Sequence, residues 1–336
     1  HTNGWPNGYQ GCPSIGFQGN MAVIFEGSVH TNSACTASSN PPGAIGINGG
    51  GSSVSISLVS PAVIQMVGTW SPGPLQITPA PITNAQPIED PLNDLPVMPT
   101  LATSTTAGNP RTTIGNGLNP ECAILEPGTY PGGIDIKAQG SAWLRPGMYV
   151  IAGGGITLGA QGAIYSLSGD TNITNCNALD QASWDTALCK ANECGVLIYN
   201  TSGTGGAFSA MGPLDLGGGA GVKLRAYVPS IDPMSTRQTA YKNLMFWQDV
   251  NPVPDQNYRQ PELNLRGGGT AFLQGTVYAP SARVNLGGNC GGAGGEPLDL
   301  TLQFISWDLF ISGSCTFNFL YNVEGFTDFP VYGLIR

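Results

Sequence analysis

Charge is scarce in this chain. Lys and Arg number 12 among 336 residues, Asp and Glu 21, and His two, so charged residues make up 10%, well under the usual quarter. No basic cluster occurs along the sequence. Neutralising phosphate takes several Lys or Arg on one face, so no nucleic acid is expected as a partner. Adsorption to anionic lipid is disfavoured for the same reason. No run of about 18 apolar residues is present, so no segment is expected to span a bilayer. Membrane association is expected only through an anchor upstream of the chain. His1 and His30 are the only imidazoles, and no Cys-x-x-Cys spacing occurs, so a Cys/His metal site is poorly supplied.

Helical periodicity is nearly absent. One stretch, 177–193 (NALDQASWDTALCKANE), could put Ala182, Trp184, Ala187 and Leu188 on one side. It reads as a short helical insertion. Glycine, by contrast, is abundant at 49 residues, with 27 Pro. Gly costs about 1 kcal/mol per helical position relative to Ala, so this composition suits short strands and tight turns.

The strands show as period-2 alternation. Val54, Ile56 and Leu58 alternate with Ser, as Leu75 and Ile77 do with polar residues. An apolar–polar–apolar unit then recurs beside Gly: Ile134-Asp135-Ile136, Ile156-Thr157-Leu158, Leu214-Asp215-Leu216, Leu263-Asn264-Leu265, Val284-Asn285-Leu286 and Leu298-Asp299-Leu300. GGIDIKAQG begins at Gly132 and GGITLGAQG at Gly154, an offset of 22 (154 − 132). PGTY at Pro127 and PGMY at Pro146 repeat nearby. A period near 20 residues made of short strands marks a β-solenoid. Inward members of each unit stack into a narrow core, the polar middle residue faces solvent, and Gly turns the corners. A β-sandwich would also alternate, but its hairpins should leave Asn-Gly between paired strands. Here that dipeptide occurs at Asn3-Gly4 and Asn7-Gly8 near the N-terminus, and at Asn48-Gly49 and Asn116-Gly117, none of them between two of the repeat units.

The expected fold is therefore all-β: a right-handed parallel β-solenoid (β-helix) with Pro-rich loops and one short helical insertion. It forms a single domain over 1–336. Residues 1–40 would be an N-terminal cap, 79–120 a Pro-rich connection lying on the solenoid, and 176–194 a disulfide-pinned insertion. Residues 227–258 would supply surface loops around a strand at 243–247.

The eight cysteines are Cys12, Cys35, Cys122, Cys176, Cys189, Cys194, Cys290 and Cys315. Their even number and spacing imply disulfides and an oxidising compartment. Cys12–Cys35 and Cys290–Cys315 are the expected local pairs; the pairing of the middle four is open.

The order of several phrases resembles the extracellular portion of bacterial TadE/TadG-like proteins, associated with Flp/Tad pilus assembly. A D-P-L-x-x-L-P phrase runs from Asp90 to Pro96. An L-x-P-G-x-Y-x-G-G-I-x-I phrase runs from Leu125 to Ile136, and a related one from Leu144 to Gly155. V-x-I-Y-N-T follows at Val196 to Thr201, Y-K-x-x-x-F-x-Q-D at Tyr241 to Asp249, and G-x-V-Y-A-P-x-A-x-V-x-L at Gly275 to Leu286. The resemblance implies a pilus-linked or envelope-linked protein at the surface of a bacterium, usually with an N-terminal apolar anchor, which this chain does not show. It carries over no functional residue. The G-x-V-Y-A-P phrase is also similar to ice-binding solenoids, over a shorter match that lacks a regular Thr ladder.

The same scaffold could host catalysis. Asp135, Asp215, Asp299 and Glu296 are candidate glycosidase carboxylates, which must lie roughly 5–9.5 Å apart to act together. The three Asp occupy the outward middle of the repeat unit, as Thr157, Asn264 and Asn285 do, and read as ordinary exterior residues. His30, Lys223 and Arg225 assemble no triad with them. The Gly runs at 153–155, 217–219 and 267–269 precede no Lys-Ser/Thr and read as corners. Glu89, Asp90 and Asp94 carry hard oxygens that suit Ca2+, but the shared phrase accounts for Asp90 structurally. Asn172 and Asn200 begin glycosylation sequons. Trp70, Trp143, Trp247 and Trp307 read as packing residues. The expectation is a non-catalytic structural or adhesive protein without cofactor or metal. Its partners would be proteins in a surface assembly or further copies of itself, with glycans as another class. Subunit contacts are expected at open solenoid ends, near Phe326, Phe329 and Tyr332. The alternative is a carbohydrate-active enzyme, or a glycan- or ice-binding solenoid.

Overall fold

The computed structural model describes residues 12–37, 43–48, 52–116, 118–170, 172–179, 182, 184–190, 192–204, 208–217, 221–232, 239–250, 261–266, 270–288 and 297–327. It is mostly β, with a long all-parallel sheet of stacked strands and few helices, consistent with a β-solenoid. No helix among these residues is long and apolar enough to cross a membrane.

The strands of the long sheet form three stacks, one to a face, and a separate parallel pair, Val29–Thr31 with Ile64–Met66, stands outside them. The first stack contains Glu121–Leu125, Gly140–Leu144, Ala163–Ser166, Gly221–Arg225 and the start of Thr270–Gly288. It continues through the start of Leu298–Gly313, then Thr316–Phe319, Met21–Phe25, Val54–Leu58 and Leu75–Thr78. The second contains Gly128–Pro131, Gly147–Ala152, Val196–Thr201, Leu244–Gln248 and the middle stretches of the two long strands. The third runs from Thr112–Ile114 through Ile134–Ile136, Ile156–Leu158, Leu214–Asp215 and Leu263–Arg266 to the ends of the long strands. It finishes with Ile15–Gln18 and Ile45–Ile47.

The core follows the repeat unit. Ile134, Ile136, Ile156, Leu158, Leu214, Leu216, Leu263, Leu265, Val284 and Leu286 are all buried and share one apolar cluster. The corners need positive φ. Gly133 and Gly155 occupy equivalent corners at φ +78° and +68°, and a Cβ on Gly133 would sit 2.0 Å from the Gly155 carbonyl oxygen. One outward position differs from expectation. Asn285 is only 2% exposed, because it donates to Glu262 Oε2 at 2.8 Å and to Asn264 Oδ1 at 2.7 Å. It is a bonded rung between layers.

The order of the layers is not the order of the chain. Strands Ile15–Gln18 and Met21–Phe25 lie beyond the C-terminal strands: Ile15 registers with Leu309 and Ala22 with Thr316. Residues 15–25 therefore have neighbours on both sides and do not cap an end. The Pro-rich connection must return from the layer of Leu75–Thr78 to the layer of Glu121–Leu125. Ten layers in the first stack make nine steps of about 4.8 Å, roughly 43 Å in all. The intervening chain, able to reach ~3.3 Å per residue, covers this easily.

The described residues of the 176–194 insertion include the short turns Cys176–Ala178 and Trp184–Leu188. Trp184 and Leu188 face inward, whereas Ala182 and Ala187 are exposed. The insertion is held by two disulfides. Cys122–Cys176 ties its start to the first stack, and Cys189–Cys194 closes its end. Cys12–Cys35 forms as expected. The expected Cys290–Cys315 pair falls on Cys290, outside the described residues. The three disulfides among the described residues indicate an oxidising, extracytoplasmic location.

Candidate functional surface

A solenoid's outer faces carry any function that the core does not. Two stretches of these faces are covered by the chain itself. On the first face, Ile124, Trp143, Tyr165, Lys223 and Phe272 stand in register in successive layers. Trp143 and Tyr165 pack with ring centroids 4.6 Å apart. The insertion lies over this row. Trp184 meets Phe272 at 5.0 Å and donates its indole N–H to the Ser166 carbonyl at 2.7 Å. The Arg225 guanidinium sits over both rings, 5.3 Å from Trp184 and 4.6 Å from Phe272. Buried Arg145 donates to the carbonyls of Ser168, Asp170 and Ile173, which fixes the loop leading into the insertion. Burial raises the Tyr165 hydroxyl to about 12.

On the second face, the Pro-rich segment acts as a strap. Leu92, Leu95, Met98 and Leu101 cluster with Met148, Val150, Leu197, Tyr199, Trp247 and Tyr278. Trp247 lies within ring-packing distance of Tyr199, Tyr241 and Tyr278. The Tyr241 hydroxyl donates to the carbonyls of Pro96 and Val97. Asp90 anchors the strap: Oδ1 accepts from the Leu92 amide at 2.9 Å and Oδ2 from the Tyr278 hydroxyl at 2.8 Å. Burial first, and then the Asp90 carboxylate, push the Tyr278 hydroxyl up. The D-P-L-x-x-L-P phrase is thus a clasp, with Asp90 oxygens committed to it, while Glu89 and Asp94 are exposed. Among the described residues no group of His, Cys, Asp and Glu is arranged to hold a metal ion. Replacing Asp90 by Ala should cost about 1.5–3 kcal/mol, since it removes a hydrogen bond to a charged acceptor. Urea denaturation should show that loss, and limited proteolysis should show earlier cleavage in the strap.

The candidate carboxylates do not converge. Asp135 and Asp215 lie in one row of the third face, two layers or about 10 Å apart, with Thr157 between them. Asp299 belongs to the first stack, where Asn318 Nδ2 donates to it at 2.7 Å. Glu296 lies outside the described residues. Burial would raise the Asp135 carboxyl, but hydrogen bonds from Lys137 and Thr157, with Arg111 nearby, outweigh it and hold the group below its ordinary range. Arg111 donates to the carbonyls of Ile134 and Gly154 and to Thr157 Oγ1, stitching adjacent layers. His30 hydrogen-bonds Asn32 at 3.0 Å, and Lys223 and Arg225 serve the Trp184 cluster. Asn200 is fully buried and donates to the Gly212 carbonyl, so its sequon is closed in the folded chain; Asn172 is exposed.

Sequence reading missed one charged group. Arg283 bridges Asp308 at 3.3 Å and Glu262 at 3.9 Å. Asp308 is buried, and that desolvation outweighs the Arg283 attraction, pushing the carboxyl up to about 6. Folding therefore favours the protonated acid. This contribution is fully present below about pH 4 and is lost as pH rises through 6. Between pH 4 and 7, Asp308→Asn should gain about 2–3 kcal/mol relative to wild type in urea titrations.

Phe326 is 6% exposed and packs against Tyr321 at 5.6 Å. Its carbonyl accepts from Asn243 Nδ2 at 2.7 Å. It is occupied within the chain. The C-terminal strand Thr316–Phe319 also lies between two neighbours, away from any open end. Phe329 and Tyr332 lie outside the described residues. Trp143 and Trp247 are buried packing residues as expected, while Trp70 and Trp307 are half-buried.

One broad stretch is left bare. On the first face, Asp299, Asn318, Ile24, Ser57 and Thr78 form one outward row, and Thr316, Ala22, Ser55 and Gln76 another. Asp299, Ser55, Ser57, Gln76 and Thr78 are exposed and the others half-exposed. This is a mostly uncharged surface with its side chains repeated at the layer spacing, about 4.8 Å. Comparison with protein-family models, with curated proteins and with solved structures finds no match for the chain.

Proposed function

We propose that this protein is a non-catalytic structural or adhesive component of the bacterial cell surface, part of a pilus-linked or envelope assembly of TadE/TadG-like character. The solenoid winds right-handed, as nearly all parallel strand crossovers do. The observation that carries the functional reading is the polar face of Ser55, Ser57, Gln76, Thr78 and Asn318. The chain seals its aromatic rows with a strap and a disulfide-held insertion, and presents this rigid surface of short polar side chains. Such a surface suits contact over area more than enclosure of a small substrate. Its regular layer spacing favours a second reading, in which the same face binds a glycan or ice.

The test places Arg at Ser57 and Thr78. Circular dichroism should be unchanged, and binding to isolated bacterial envelopes should fall tenfold or more. Equal binding by the variant overturns the assignment of this face. Release of reducing or unsaturated sugar from a polysaccharide panel, abolished by Asp215→Asn or Asp299→Asn, overturns the non-catalytic reading.

A further inference from the structure

The non-sequential layer order has a mechanical consequence. Residues 12–88 form one unit and residues 90–327 a body, and the two meet at a strand joint. In that joint Ile15–Gln18 registers with 309–312 and 22–25 with Thr316–Phe319. Phe25 and Phe319 stack at 4.8 Å. The Leu309 amide donates to the Ser14 carbonyl at 2.8 Å, and the Glu26 amide to the Phe319 carbonyl at 3.0 Å. The joint is thus backbone ladder and apolar stacking, which any copy of residues 12–88 supplies equally well.

The covalent crossing is narrow. Ile88 still belongs to the N-terminal unit, because its amide and carbonyl bond the Asn32 side chain at 2.9 and 2.6 Å. Asp90 already belongs to the body, through Tyr278. Only exposed Glu89 separates them, flanked by Pro87 and Pro91. No described disulfide crosses the joint: Cys12–Cys35 lies within the unit, and Cys122–Cys176 and Cys189–Cys194 lie within the body.

We infer that residues 12–88 are an exchangeable unit, docked on their own C-terminal strands in the monomer and on those of a second copy in an oligomer, with the hinge at residues 88–90. Exchange re-forms the same ladder between chains, which makes it a low-cost route to assembly. The tether gives the intramolecular joint a high effective concentration, so exchange is favoured by concentrated protein or a shared surface. This inference is independent of the surface-assembly reading, since it needs only the joint.

The test uses two full-length variants, one carrying Ile24→Cys and the other Asn318→Cys. These positions are in register across the joint, and paired strands lie about 4.8 Å apart, within the Cα span a disulfide bridges. The variants are mixed at high concentration, incubated in sub-denaturing urea, returned to buffer and oxidised. Covalent heterodimer should appear on non-reducing gels and increase several-fold with protein concentration. A mismatched pair, Thr78→Cys with Asn318→Cys, should give none. A chain carrying both Ile24→Cys and Asn318→Cys, oxidised first while dilute, should be locked as a monomer. Absence of heterodimer at every concentration, with native circular dichroism retained by both variants, overturns the inference. So does heterodimer trapped equally by the mismatched pair.

Discussion

Replacing Ile136 by Asp should prevent folding. Ile136 is fully buried and registers with Ile114 on one side and Leu158 on the other. A carboxylate there has no cation within the apolar stack. An unpaired buried charge costs several kcal/mol, a large share of the 5–15 kcal/mol that holds a typical domain together. The effect is general because each inward residue touches the layer above and the layer below. The purified variant should lack the β-rich circular dichroism signal or accumulate as insoluble protein. Asp299→Ser is the matched control. Asp299 is exposed and its one described bond is to Asn318, so its replacement should change stability by no more than about 0.5 kcal/mol. If both changes were equally harmful, the assignment of inward and outward residues would be wrong.

Trp184→Ala should cost about 3–5 kcal/mol, the usual range for truncating a buried Trp. The indole is 1% exposed. It fills the space over Phe272 and holds Ser166 through its N–H. Its loss also removes one of the two rings that cover Arg225, which keeps Phe272 and its bonds to the Cys189 carbonyl and Gln274. The damage should stay local, because Trp184 packs on the outside of the first stack and not in the axial core. Proteolysis should then cut first within 176–194 while the solenoid strands remain protected. A cut between Cys189 and Cys194 should leave its two pieces joined by that disulfide until reductant is added, whereas a cut between Cys176 and Cys189 should separate them at once.

The layers themselves were legible because a parallel stack repeats its own composition. Ile134-Asp135-Ile136 and Ile156-Thr157-Leu158 are neighbours in sequence and partners in register, so their similarity could be seen without coordinates. The layer order was not legible in the same way. Ile15 meets Leu309 across almost the whole chain, and an exposed strand edge carries no address for its partner beyond hydrophobic pattern and register. The N-terminal cap was expected from position in the chain, whereas residues 15–25 have layers on both sides; Phe326 is buried within the chain, and Phe329 and Tyr332 lie outside the described residues. The strap was half legible. The D-P-L-x-x-L-P phrase stood out, but Asp90 acts through Tyr278, 188 residues away. A signal did exist, since Tyr199, Trp247 and Tyr278 recur on the outward side of the second stack and an exposed aromatic row calls for a cover. Asn285 was misread because a polar residue can be buried once its amide is bonded, here to Glu262 and Asn264 of one adjacent layer, with Phe310 in register on the other side.

Both the polar face and the exchangeable joint depend on the stacking of the N-terminal layers on the C-terminal ones. Spin labels at Ser57 and Asn318 test it directly, against a second pair at Ser57 and Ser141. In the layer order described, Ser57 and Asn318 are two layers apart, about 10 Å along the axis, while Ser57 and Ser141 are seven layers apart, about 34 Å. Pulsed electron-spin distances should therefore be short for the first pair and longer by more than 15 Å for the second. A short Ser57–Ser141 distance with a long Ser57–Asn318 distance would mean that the layers follow the chain, and would contradict the account.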